Sequence, residues 1–458
     1  MNMQSNLTPL LLLTFSLAGP LAAPATAAPT SGDWPQFRGP DGAGIGTDAR
    51  LPDTWSDTTN VAWKTDLPGR SWSSPIVQGH HVFVTAVVNT GTNEAPKKGL
   101  YLGGNRPEPS PAEHFWKVFG LDLETGKVQW ETEVHRGAPK TPIHLKNTYG
   151  AETPVADGER VYCLFGGVGL FALTLEGKAV WSQPLEAHAT RSGWGTAASP
   201  VLHDGRLYVV TDNDDKAELL AFDARTGKQL WAVARDEKSN WATPFLWQSG
   251  RRAELITPGS RAVRSYDPQD GKLLWSLTGM SSIAIPTPVA GDGLLFVSSG
   301  YVMDKVRPVY AVRPGAAGDI SLKPGESTNE FIAWSNPTGG PYNPSPLYFE
   351  GRYYVLFDRG VLSAYDARTG RVLYDRERLP EGFAFTSSPW AAGGRIYCLS
   401  EEGVCYVVRA GDKFELLHTN RLGPDDMCMA TPAMAGDRLL IRTAARMYCF
   451  RGGAVPAP

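Results

Sequence analysis

The 458-residue sequence predicts an all-β fold: an eight-bladed β-propeller of four-stranded antiparallel blades. In this reading the ring is closed by the N-terminal strand pairing with the C-terminal blade. Three observations carry the prediction. A Ser/Thr-Pro dipeptide recurs eight times, an Asp-Gly-Trp hairpin signature runs in phase with it, and the two ends of the repeat array are incomplete in complementary ways.

The dipeptide stands at Ser74-Pro75, Thr153-Pro154, Ser199-Pro200, Thr243-Pro244, Thr287-Pro288, Ser345-Pro346, Ser388-Pro389 and Thr431-Pro432. From the second copy onward the steps are 46, 44, 44, 58, 43 and 43 residues, and the first step of 79 contains an insertion. Each copy opens a short apolar run, a Gly-containing turn and a second strand, as in "SPVLHDGRLYVVTD" and "SPLYFEGRYYVLFD". A proline is tolerated at the first residue of a strand, where one missing N–H costs little. The Pro therefore marks the innermost strand, and runs such as "RLYVVT" and "RIYCLS" read as central strands.

The second hairpin of each unit has a sharper signature: "LDLETGKVQW" (121–130), "FDARTGKQLW" (222–231), "YDPQDGKLLW" (266–275) and "YDARTGRVLY" (365–374). "LTLEGKAVW" (173–181) is a shortened copy. An Asp side chain accepts backbone N–H bonds from the turn ahead of it, and the Gly supplies the positive φ that a short hairpin loop needs. The Trp then falls on the outermost strand, where so large a ring has to bury against the neighbouring unit. Four strands in about 44 residues is the period of a propeller blade.

Two units depart from the pattern. The first carries an insertion at 89–116 and the fifth a Gly/Pro-rich insertion at 313–328; both read as loops. The eighth unit stops after three strands, whereas "VAWKTDL" (61–67) is an outer Trp strand with no strands before it. Pairing that strand with the segment around Met447 to Phe450 completes the eighth blade and removes two open sheet edges. The expected boundaries are a signal peptide at 1–27, an N-terminal extension at 28–59, the propeller at 60–452 and a tail at 453–458.

Net charge is −3, so no basic surplus draws nucleic acid. The apolar run "PLLLLTFSLAGPLAA" (9–23) followed by Ala25-Thr26-Ala27 reads as an export signal cleaved after Ala27, although no Lys or Arg precedes it. No cysteine follows that run, so a lipid anchor is not expected. No other segment approaches 18 apolar residues, so no transmembrane segment is expected. The expectation is an exported, soluble protein of the periplasm or cell envelope. Of five cysteines, Cys398 and Cys405 flank the turn "LSEEGV". If Ser400 faces Gly403, the two thiols face each other and a disulfide can form; two buried thiols are the alternative.

The openings and hairpins, with "AFDARTGKQLW" (221–231) as the fullest copy, resemble the pyrroloquinoline-quinone (PQQ) repeat propellers. "DWPQFRGPDGAGIG" (33–46) is similar to the opening of many exported PQQ-binding-like repeat proteins. The resemblance covers roughly residues 33–451. It implies the propeller fold and two kinds of function. One is the non-catalytic propeller lipoprotein of outer-membrane barrel assembly, and the other is the quinoprotein alcohol dehydrogenases. Those enzymes generally carry adjacent cysteines over the cofactor, with a calcium site and a catalytic carboxylate. This sequence has no adjacent cysteines and no haem motif, and the carboxylate does not map onto a motif here. The expectation is therefore a binding or scaffolding module with no cofactor and no metal, rather than an enzyme. The alternative is a PQQ- and calcium-dependent alcohol or sugar dehydrogenase, with Asp425 or Asp426 as calcium or base carboxylate and Trp194 or Trp241 as stacking floor.

The loops between blades are rich in aromatic and polar residues, and loops on a rigid scaffold are where binding residues sit. The candidates for ligand or partner contact are Arg70, Trp72, Lys146, Asn147, Tyr149, Arg191, Trp194, Asn240, Trp241, Tyr342, Asn343 and Asp426. A funnel of Trp and Tyr faces with Arg, Lys and Asn donors suits an envelope protein or peptide, or a small planar or sugar-like ligand. The competing reading is that the rings plug the channel and brace adjacent blades. His135 and His144 lack a third partner for a metal, and Asp212, Asp214 and Asp215 read as a charged hairpin tip.

Overall fold

The computed structural model describes Met1 and residues 32–46, 50–92, 97–101, 103–104, 106, 108–382 and 384–452. Apart from Met1, the expected signal peptide lies outside the described residues, as does the expected tail at 453–458. Among the described residues, no helix is long and apolar enough to cross a membrane.

Eight antiparallel sheets form eight blades, at 76–137, 155–184, 201–234, 245–277, 289–336, 347–378, 390–421 and 433–451. The eighth is completed by Val61–Asp66, which pairs with Arg446–Arg451 in the register Val61↔Phe450, Trp63↔Cys449 and Thr65↔Met447. The expected closure is thus the observed one. Within each blade the strand after the Ser/Thr-Pro is the inner strand of the four, and the outer strand carries a Trp in six blades, Tyr374 in blade six and neither ring in blade seven.

The hairpin signature works between blades as well as within them. Asp122, Asp223 and Asp366 each accept the Thr N–H and the Thr hydroxyl of their own turn. The Thr125 and Thr369 hydrogen bonds hold Asp122 and Asp366 below the usual carboxylate range. The turn glycines Gly126, Gly227 and Gly370 have φ of 70°, 73° and 72°, in the left-handed region. Each also lies under the Trp of the preceding blade. A Cβ on Gly227 would stand 2.6 Å from Trp181, and one on Gly370 2.6 Å from Trp334. The indole N–H groups finish the joint: Trp63 donates to the Leu123 carbonyl at 2.9 Å, Trp130 to Leu175 at 2.9 Å, Trp181 to Ala224 at 3.0 Å and Trp334 to Ala367 at 2.9 Å. Trp63 therefore both finishes blade eight and docks that blade on blade one.

Trp275 departs from this rule, since the insertion at 313–328 stands in blade five where the other blades have the short hairpin turn. Its N–H donates at 2.6 Å to the fully buried carboxylate of Glu254, which also takes the Ser265 hydroxyl and the Arg252 guanidinium. The blade-five insertion sends Gly318–Asp319 back to pair in parallel with the outer strand of blade four, covering that edge.

The serine or threonine before each proline has a role that spacing alone does not show. All eight are buried, and six hydrogen bonds link them from blade to blade. The amide of Ser74 donates to the Thr153 hydroxyl, Thr153 to Ser199, Ser199 to Thr243, Thr287 to Ser345, Ser345 to Ser388 and Ser388 to Thr431, all at 2.9–3.0 Å. These hydroxyls satisfy amides that the narrow centre of the ring hides from water.

Residues 32–46 close one end of the channel. The Trp34 backbone pairs with Val77 of blade one, the Ala156 amide of blade two donates to the Pro35 carbonyl, and buried Arg38 donates to the Pro346 carbonyl of blade six. Ile45–Gly46 then adds a parallel strand to the inner edge of blade seven.

The structure decides one open question and corrects one expectation. Of the two readings of Cys398 and Cys405, the buried thiols hold, because the register is Cys398↔Tyr406 and Leu399↔Cys405. A one-residue offset sends the two thiols to opposite faces of the sheet, so all five cysteines are free and buried. Asp212 is no solvated hairpin tip; it forms a fully buried ion pair with Arg235.

Candidate functional site

The loops from outer strand to next inner strand, with the tips of the central hairpins, make the face opposite the N-terminal plug. There a cavity of about 250 Å³ opens on the channel axis. Every one of the eight inter-blade loops contributes: Trp72; His144, Lys146, Asn147 and Ala151; Trp194 and Ala197; Trp241; Ile285; Tyr342 and Asn343; Thr386; and Met429. Leu100 and Tyr101 of the blade-one insertion complete the lining. Seven of the twelve candidate residues are therefore brought together, namely Trp72, Lys146, Asn147, Trp194, Trp241, Tyr342 and Asn343.

The aromatic floor is built by mutual packing. Trp194 and Trp241 lie 5.6 Å apart between ring centroids, Tyr301 and Tyr342 5.3 Å apart, and Ile283 fills between them. The Trp72 N–H donates to the Lys146 carbonyl at 2.6 Å and the Trp241 N–H to the Gly195 carbonyl at 2.7 Å. Asn147 Nδ2 donates to the Trp194 and Thr196 carbonyls. The rings thus brace neighbouring loops through their N–H edges while turning apolar surface to the cavity. Bracing and lining, set against each other in the sequence reading, coexist.

One ion pair crosses the mouth. Lys146 Nζ lies 2.5 Å from Glu401 Oε1, and Glu401 also accepts the Thr386 hydroxyl at 2.6 Å. Glu401 sits at a central hairpin tip of blade seven, and the sequence reading missed it; no local signal announces a partner 255 residues away. His144 is held at both nitrogens: Nδ1 accepts the Lys146 amide and Nε2 contacts the Gly103 carbonyl, while burial lowers its pKa.

The other candidates lie outside the mouth. Arg70 and Tyr149 line a neighbouring polar cavity of about 380 Å³ with His114. Arg191 stacks over Tyr301 and donates to the Ser282 carbonyl, tying two loops of the rim together. Asn240 is a buried brace between Lys238 and Ala284, and Asp426 is buried on the Tyr448 hydroxyl at 2.7 Å. His135 sits on the outermost strand of blade one against Trp116, away from His144. Among the described residues no group of three His, Cys, Asp or Glu side chains stands where it could hold a metal.

Buried acids position the loops. Asp358, at a hairpin tip of blade six, accepts the amides of Tyr342 and Asn343 at 3.2 and 3.0 Å. Burial raises its pKa to about 6 against those bonds. The folded-state value lies above that of an unfolded aspartate, so the folded protein binds the extra proton between roughly pH 4 and 6. The resulting stabilisation is full at acid pH and is lost as pH rises through about 6. Thermal midpoints at pH 5 and pH 7 should therefore differ more in favour of pH 5 for the wild type than for Asp358→Asn; equal differences would refute the assignment.

The comparisons with known proteins agree with this architecture. The family model described as outer membrane protein assembly factor BamB matches residues 54–192, 116–301 and 259–452. Polyvinylalcohol dehydrogenase of Sphingopyxis sp. (strain 113P3) is 24% identical over 328 residues, covering 60% of this chain and 47% of that protein. BamB of Burkholderia pseudomallei is 27% identical over 199 residues, covering 43% of this chain and 46% of that protein. The chain thus spans about half the length of these relatives. Among solved structures, BamB from Moraxella catarrhalis is similar at a TM-score of 0.57 and 13% identity, covering 86% of this chain and 99% of that one. Quinohemoprotein alcohol dehydrogenase from Comamonas testosteroni is similar at 0.57 and 14%, covering 95% and 82%. At such identities these structures speak for the fold alone. With its repeats matched from residue 54 to residue 452, the chain belongs to the PQQ-repeat β-propeller family, under the model described as outer membrane protein assembly factor BamB.

Proposed function

We propose that this protein is a non-catalytic binding module of the cell envelope, exported to act there, and that the loop-built mouth is its contact surface. The observation that carries the reading is the convergence of all eight inter-blade loops on one aromatic cavity whose polar edges are already engaged. Such a surface offers apolar contact and shape, and its two basic side chains are engaged within the protein: His144 has both nitrogens occupied and Lys146 is paired with Glu401. The likeness to BamB supports an envelope protein or peptide as partner.

The second reading, a PQQ- and calcium-dependent dehydrogenase, is favoured by the likeness to polyvinylalcohol dehydrogenase. The residues present fit that cofactor poorly. The quinone carries three carboxylates, whereas among the described residues the one Lys or Arg lining the mouth, Lys146, is neutralised by Glu401, and Asp426 is buried on Tyr448 outside the lining. The test sets the two readings against each other. Purified protein is incubated with PQQ and Ca²⁺, desalted, and assayed for retained quinone absorbance and dye reduction with alcohols and sugars. In parallel, cross-linking in envelope extract compares wild type with Trp241→Ala and with the outer-edge control Leu230→Ser. The binding-module reading expects no retained quinone and a defined cross-link lost only in Trp241→Ala. Retained quinone with turnover would overturn it.

A further inference from the structure

The mouth already holds a short piece of this chain. Gly99, in the blade-one insertion, receives Lys146 Nζ on its carbonyl and gives its N–H to Glu401 Oε2 at 2.9 Å. The ion pair that spans the mouth thus clamps both sides of one residue's main chain. The next residue, Leu100, packs into the cluster of Trp241, Ile283, Tyr301 and Tyr342. Lys98 reaches the Pro424 carbonyl on the far rim.

We infer that residues 98–101 occupy the mouth as an internal stand-in for a peptide. The natural partner is then an extended peptide segment that sets one residue's main-chain N–H and C=O between Glu401 and Lys146 and places an apolar side chain on the Trp194–Trp241–Tyr342 floor. This rests on the binding-module reading and gives it a ligand class.

The chemistry of the mouth matches a peptide better than the other ligands of that reading. A main chain offers one acceptor for an ammonium and one donor for a carboxylate, so the ion pair stays neutral and fully engaged when the peptide is bound. A sugar ring needs several free donors and acceptors around its edge, and Trp72, Trp241, Asn147, His144 and Thr386 have theirs committed within the protein. The internal segment also holds on lightly. Leu100 is half-buried and Tyr101 is 41% exposed, as suits an element that yields to a competitor. Gly99 has φ of 106°, so a glycine in the clamped position of the partner follows from the same geometry.

The experiment titrates acetyl-Lys-Lys-Gly-Leu-Tyr-amide, the sequence of residues 97–101, into full-length protein and reads tryptophan fluorescence. Leu100→Gly removes the apolar anchor of the internal competitor and so weakens its hold, leaving the blade strands untouched, and Leu100→Ala should act in the same direction. Weakening a competitor tethered at high effective concentration should tighten peptide binding at least tenfold over wild type. Adding Lys146→Met to Leu100→Gly should reverse that gain at least tenfold. Equal affinities for wild type and Leu100→Gly, or binding indifferent to Lys146→Met, would overturn the proposal. p-Cresol, titrated in the same way, separates the two levels. Binding of p-cresol without peptide binding overturns the peptide assignment and leaves a ligand-binding mouth; binding of neither overturns both.

Discussion

Removing residues 32–67 should abolish the folded ring and yield aggregates. The deletion strips Val61–Asp66 from Arg446–Arg451, leaving that strand as an open edge in the middle of a closed structure. It also removes Trp63 from the Leu123 carbonyl and the Gly126 turn, so blades eight and one lose their joint. The seven other blades cannot close across the gap, because each sheet is placed by contacts with neighbours on both sides. The expected result is elution in the void volume with no cooperative unfolding transition; a monodisperse product that melts near the wild-type temperature would refute it. Trp63→Ala is the graded version. It keeps the strand and removes the buried ring, at a cost of roughly 3–5 kcal/mol typical of large aromatic truncations.

Asp212→Ala should be the most destabilising single change on the loop face. Arg235 Nε and Nη2 donate to the two Asp212 oxygens at 2.7 and 3.0 Å, and both side chains are fully buried. The remaining guanidinium donors reach Thr257 and Tyr266. Removing the carboxylate leaves a fully buried cation without its directly bonded counter-charge, a loss of roughly 3–5 kcal/mol. Urea denaturation should show this as a shift of midpoint at unchanged slope. The double variant Asp212→Leu/Arg235→Met removes both charges together and should recover much of the loss. A double variant as unstable as the single one would mean that the pair matters by its shape and not by its charge.

Much of the architecture was legible because it repeats. Eight Ser/Thr-Pro dipeptides and the Asp-x-x-Thr-Gly hairpins recur in phase, and each copy tests the reading of the others. The turn chemistry of Asp122, Asp223 and Asp366 is local, within three residues of the acid, and it came out as read. Even closure could be inferred, since one end lacked the strand that the other end supplied. The mouth was legible at the level of loops: Trp72, Lys146, Trp194, Trp241 and Tyr342 all line it.

What failed to show depends on residues far apart in sequence or on a shift of a single residue. The sequence left open whether Cys398 faces Cys405; the turn holds one residue more than a two-residue loop, and alternation along the strand turns that difference into opposite faces. Asp212 looked like a surface charge because Arg235 lies 23 residues away, just past the outer strand of its blade. The Ser/Thr-Pro dipeptides were read for the proline alone, whereas six of the hydroxyls accept the amide at the same place in the adjacent blade.

By itself, then, the sequence determined the repeat, the blade, the closure and the face on which seven of the candidate residues gather. Each of those follows from short-range periodicity and turn chemistry. Only the tertiary structure decided that residues 32–46 plug one end of the channel, that Lys146 and Glu401 pair across the other, and that Leu100 lies in the mouth between them. A ring brings residues hundreds of positions apart to one axis. The meeting there depends on how many blades close and on which way each loop turns, and neither is recorded in any single stretch of chain.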